Sequence, residues 1–191
     1  MKSVQTALCS MFLVAISGIA FAADTSKTEN AETAAARSTS LDNQFIKDVA
    51  RENTLLTRLG DIADKQAGNH AVKAFGHMEA QRHADIENSL RKLAKDKKVD
   101  LPRDLEGMRQ ITLQRFTNLN GDAFDKPYMR DMILEHNLLI ANFQYMLDNT
   151  TDPDVKKFVR DTLPGFQDHL RVAQDDAKTI NLNMLSTETQ P

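Results

Sequence analysis

The chain has 191 residues, with 24 Lys and Arg against 27 Asp and Glu for a formal net charge of −3, no Trp, two Tyr and one Cys. A mildly acidic chain whose largest basic cluster is Lys95 to Lys98 lacks the footprint of a nucleic-acid binder, and without Trp it offers no stacking platform for bases or sugars. A lone Cys excludes an intramolecular disulfide framework and a thiolate-built metal site.

The first elements read as targeting. Lys2 precedes an apolar run from Ala7 to Ala22, and Ala20-Phe21-Ala22 supplies the small-x-small pattern of a cleavage site, so residues 1–22 are expected to be a signal peptide. The run is short for a transmembrane helix and no second one follows, so no transmembrane segment is expected in the mature chain. The implied destination is the periplasm or the exterior. Cleavage after Ala22 would also remove Cys9, which sits too early for a lipoprotein cysteine. Residues 23–39, rich in Ala, Thr and Glu with no bulky apolar side chain, cannot bury enough surface to offset their ordering entropy and are expected to form a disordered leader.

From 40 to 181 helical periodicity takes over without any strand pattern. The first helix is expected to cap at Thr39 or Ser40, carry Leu41, Phe45, Val49, Leu56, Leu59 and Ala63 on its apolar stripe, and stop at Gly68. Asn69 caps the second, with Val72, Phe75, His83, Ile86, Leu90 and Leu93 facing inward. After the stretch Lys95 to Pro102 a short helix carries Leu105, Met108, Ile111, Leu113, Phe116 and Leu119 and stops at Asn120-Gly121. Asp125 is expected to cap a long helix with Pro127 in its first turn and Met129, Met132, Ile133, His136, Ile140, Phe143 and Leu147 inward. Asp152-Pro153 opens the last helix, whose stripe Val155, Val159, Thr162, Phe166, His169, Ala173, Ala177 and Ile180 alternates spacings of three and four; Pro164 lies in its interior. Residues 182–191 form a polar tail. The fold class is all-α: a four-helix bundle of two tight hairpins joined by a long crossover carrying an additional short helix, the ferritin-like connection.

His83, His136 and His169 fall on apolar stripes of three helices, whereas His70 and His77 fall on polar faces. Packed together, those stripes bring three imidazoles into one interior, where each ring nitrogen needs a partner. A metal would satisfy all three, and so would a network with acids. Glu79 lies one turn before His83, and Glu52 one turn before Leu56, so both are candidates to assist. The di-iron ligand set needs Glu three residues before the ligating histidines, where this chain has Ala80, Ile133 and Phe166, so di-iron chemistry is excluded. A three-histidine zinc or copper site remains chemically sound, and nothing in the spacing selects the metal. No catalytic motif such as Gly-x-Ser-x-Gly is present. The two readings are a bundle binding a metal or small ligand, and a structural bundle contacting an envelope protein.

Several stretches together resemble a known exported family: Phe45 to Ala63, Val72-Lys73-x-Phe75-Gly76 leading to His83, Leu101-Pro102, Asn120-Gly121-x-x-Phe124-Asp125-x-x-Tyr128 leading to His136, and Leu163-Pro164 leading to His169-Leu170-x-x-Ala173. The family is domain of unknown function 4142, often labelled "predicted outer membrane protein". The resemblance implies a ferritin-like fold and export to the periplasm or outer envelope; the family brings no settled activity. The three histidines match its pattern. This chain departs from it at Leu56, where the family typically has Glu, at Arg82, where it has Asp, and at Glu52-Asn53, where it usually has Gly-Gly.

Overall fold

The computed structural model describes residues 20–182, with side chains from Glu32 onward. Most of the expected signal peptide (residues 1–19) and the tail beyond Leu182 lie outside the described residues. Five helices run in order: α1 (Ala20–Gln66), α2 (His70–Lys97), α3 (Met108–Thr117), α4 (Asp122–Asn149) and α5 (Pro153–Thr179). No strand occurs among the described residues, which form an all-α bundle with α3 inside the long α2–α4 crossover.

The chain divides at Arg37 and Ser38 into two units. In the first, α1 already runs through the stretch read as a leader, upstream of the cap expected at Thr39 or Ser40, and side chains 32–37 are all exposed. Ala and Glu favour helix locally without any packing, which is why backbone order there does not require buried surface.

In the second unit the contacts fix the directions of the four long helices. Asn53 meets His83 and Gly60 meets Gly76, so α1 and α2 are antiparallel. Phe143 packs on Phe158 and Phe166 while His136, two turns earlier, meets His169, making α4 and α5 antiparallel. His169 reaches Glu79 while Lys97 reaches Asp152, so α2 and α5 are antiparallel too. Phe75 with Tyr128, and Glu79 with His136, show α2 and α4 running parallel, as the long crossover permits.

Two close approaches lock the first hairpin. A Cβ at Gly60 would lie 2.7 Å from the Gly76 carbonyl oxygen, and one at Gly76 would lie 2.5 Å from the Ala63 Cβ, so these two helices touch backbone to backbone. The hairpin turn is then tied to the start of α4. Gly121 N–H donates to the Gln66 carbonyl at 2.8 Å, and the buried Asp125 carboxylate accepts from Gly68 N–H at 2.9 Å and Asn69 N–H at 2.7 Å. This corrects the expected role of Asp125. Helix α4 is capped four residues earlier, at Gly121, and the Asp125 oxygens accept from another turn's orphan amides. Asn69 and Asp152 cap α2 and α5 as their positions suggest. The stripe expected on α3 is also corrected: Phe116 is buried there, while Met108 and Ile111 are exposed.

Candidate metal centre

The same hairpin geometry positions the interior polar groups. One helical turn after Gly76, the side chain of Glu79 projects into the bundle, and His83 follows one turn later on the same face. Helix α4 supplies His136 and α5 supplies His169. All four side chains are buried, and one donor atom from each lies within 4.8 Å of the others.

The Glu79 carboxylate is the hub. Its Oε1 lies 2.8 Å from His169 Nδ1, and its Oε2 lies 3.2 Å from His83 Nε2 and 3.4 Å from His136 Nε2. His136 Nε2 and His169 Nδ1 are hydrogen-bonded to each other at 3.3 Å. Despite these distances, neither Glu79 oxygen nor His83 Nε2 has an aligned hydrogen bond. The distances are short and the angles are wrong for proton donation.

The outer faces of two rings explain why. His136 Nδ1 sits 2.8 Å from the Met132 carbonyl, which can only accept, so the ring carries its proton there and turns the Nε2 lone pair inward. His83 Nδ1 sits 2.8 Å from Asn53 Oδ1. Asn53 is itself oriented by its Nδ2, which donates to the His83 carbonyl at 2.9 Å and to Glu87 Oε2 at 3.2 Å. The proton of His83 is therefore on Nδ1 and its Nε2 lone pair also faces the centre. Fixing ring tautomers from outside is what second-layer partners do around metal-binding histidines.

Charge follows from the surroundings. Burial alone would raise the Glu79 pKa, but His136, His169 and His83 together more than reverse it, holding the carboxyl far below its ordinary range and ionised. His136 is pushed down to about 4, chiefly by burial, with Glu79 opposing and the other two imidazoles adding to the fall. At neutral pH the pocket thus holds a carboxylate and a neutral His136. Phe166 stacks on His83 with centroids 5.8 Å apart and meets His136 edge-on at 6.1 Å, keeping the cluster dry.

The structure brings together His83, His136, His169 and Glu79 from the sequence candidates. It does not bring Glu52. That carboxylate accepts from Arg109 Nε at 2.8 Å in a separate cleft between α1, α3 and α4. Exposed His70 and His77 are also outside the cluster. Asn53 was missed as a site residue, yet its signal was legible: Val49, Asn53, Leu56, Gly60 and Ala63 share one 3–4 spaced stripe, and Asn is its polar member. Leu56, at a position where the resembling family has an acid, is a fully buried core residue. Tyr128 was missed as well; its hydroxyl is buried without a partner, and burial together with the Glu79 charge raises its pKa well above the ordinary phenol.

A family model described as domain of unknown function, DUF4142, matches residues 27–175. The chain belongs to the DUF4142 family. No curated protein matches it. Among solved structures, a DUF305 protein of Streptomyces coelicolor described as secreted superposes with a TM-score of 0.65 at 12% identity, covering 78% of this chain and 97% of the other. A DUF305 fragment from Deinococcus radiodurans gives a TM-score of 0.64 at 12% identity, over 73% and 96% of the two chains. At such identity the likeness extends to the fold alone. Among the described residues no helix is long and apolar enough to cross a membrane.

Proposed function

We propose that this DUF4142 member is an exported, ferritin-like bundle that binds one divalent transition-metal ion inside the bundle through Glu79, His83, His136 and His169, in an envelope or stress role. The observation that carries this reading is the convergence of buried lone pairs: two Glu79 oxygens and His83 Nε2, sealed from water, face neighbouring donors without any aligned hydrogen bond. Leaving such groups unsatisfied is costly, and a cation at their focus removes the cost. The separations of 3.2, 3.3 and 3.4 Å lie near the edge of a tetrahedron with bonds of 2.0–2.1 Å, about 3.3–3.4 Å, while the 2.8 Å between Glu79 Oε1 and His169 Nδ1 is shorter.

Three imidazoles and one carboxylate suit zinc and other borderline ions, and the set lacks the bridging carboxylates of a di-iron centre. Four protein donors fill a tetrahedral shell, so the reading is metal holding and not catalysis. Export is supported by the apolar run to Ala22 and by the secreted description of one structural neighbour. A hydrogen-bonded acid–histidine network without metal is the competing account, and it would put N–H groups on the Glu79 oxygens.

The test is metal analysis and titration of untagged protein. About one equivalent of zinc or cobalt is expected, with cobalt giving the intense visible bands of a tetrahedral site. Less than about a tenth of an equivalent after adding zinc, copper or iron would refute the reading.

A further inference from the structure

Four buried ligands leave open how an ion would reach them. Three of the side chains are sealed at 0–1% exposure, while His169 retains 4%. His169, whose Nδ1 turns inward to Glu79, also lines a surface cavity of about 250 Å³ between α2 and α5. Arg82, Asp85 and Ser89 on α2 and Asp161 and Thr162 on α5 give it a polar mouth, with Ile86 and Phe158 as apolar walls.

The α5 side of this cavity holds a proline and a glycine in succession, Pro164 and Gly165. Pro164 has no N–H to give to the Arg160 carbonyl, although α5 continues through it. Gly165, one turn before His169, lines the cavity, and a Cβ placed there would meet nothing within 4 Å. This contrasts with Gly60 and Gly76, where the missing side chain is required by a neighbouring backbone. At Gly165 the missing side chain leaves space in front of a ligand.

We propose that the α2–α5 cavity is the route by which the divalent ion reaches and leaves the interior centre, with His169 the ligand that passes it through. The inference rests on the metal reading above. A polar mouth accepts a hydrated cation, and exchange of its waters for His169 and then the sealed donors completes transfer without opening the bundle.

The experiment compares the full chain with Gly165→Leu, which fills the cavity with a residue the helix accepts. Cobalt uptake by metal-free protein is followed by its visible bands, and zinc release by transfer to excess chelator. Both rates are expected to fall about tenfold or more in the variant while Kd stays within about threefold, because a narrowed route scales association and dissociation alike. Unchanged rates in Gly165→Leu overturn the route, as does slower release matched by an equally tighter Kd with uptake unchanged. If the wild-type chain binds neither ion at equilibrium, the centre itself fails and the route with it, a result distinct from one seen only in the rates.

Discussion

Glu79 and Glu135 are carboxyls whose pKa values move in opposite directions. Glu79 is completely buried, yet it stays ionised because imidazoles surround its oxygens. Glu135 is only partly buried, lining the cleft with Glu52 and Arg109, and its pKa is pushed up to about 7, first by burial and then by the charges of Glu52 and Asp131. Arg109 is spent on Glu52, and Asp131 pairs with Arg115. Depth does not decide whether a carboxyl in this protein is charged; its neighbours do, imidazoles around Glu79 and acids beside Glu135. Function is expected where the imidazoles gather.

The sharpest way to break this comparison is to remove each carboxylate in turn. Glu79→Gln should weaken zinc binding by at least about a hundredfold, beyond the usual cost of a change outside the ligand shell, and Glu135→Gln should leave it unchanged. Equal affinities in the two variants by competition titration would erase the distinction. Next comes the support layer: Asn53→Ala frees the His83 ring and should weaken binding by about 10–100-fold. Asn53→Asp, which keeps an acceptor at His83 Nδ1, should recover part of that loss, whereas a purely structural Asn53 would show no such recovery.

Acid provides a further test. His136 has a folded pKa of about 4 against an ordinary 6.5, so the unfolded chain binds the proton more strongly between those values. The contribution of His136 to the stability of the metal-free protein is therefore full above about pH 6.5 and drains away as pH falls toward 4, with Glu79 adding to the loss below its unfolded pKa of 4.5. Glu135 titrates with the opposite sign over the same range, so the test is made in Glu135→Gln, where a flat Tm from pH 7 to 4.5 would contradict the His136 assignment. Packing gives a comparable but metal-independent effect: Gly60→Ala must push α1 off α2 and should cost about 1–3 kcal/mol in denaturant unfolding. The smallest effect is expected at Glu135. Its raised pKa means that ionisation opposes folding as pH rises through 4.5 to about 7, so Glu135→Gln should raise Tm by about 2 °C at pH 8 and leave it unchanged at pH 5.

Much of this was readable from periodicity. The 3–4 spacing that placed Phe166, His169 and Ala173 on one stripe also placed Glu79 beside His83, because residues on one helix face keep their neighbours whatever the bundle does. The choice between Glu79 and Glu52 was not readable. Glu52 is claimed by Arg109 from the crossover helix, a residue 57 positions away whose approach depends on how the connection folds back. Asp125 was misread for a similar reason: an acid near a helix start looks like a cap, and only the folded hairpin supplies the Gly68 and Asn69 amides that take it elsewhere. Met108 and Ile111 lie on a short helix whose apolar residues outnumber the positions that face the bundle, and sequence spacing does not reveal which side loses.

The central claim is that three imidazoles and one carboxylate share one ion. X-ray absorption at the zinc edge of the zinc-loaded full chain tests it most directly. The account predicts a four-coordinate shell at about 2.0–2.1 Å with the multiple-scattering signature of three imidazoles and one oxygen. A shell dominated by oxygen, or one whose imidazole signature survives His83→Ala and His136→Ala unchanged, would contradict it.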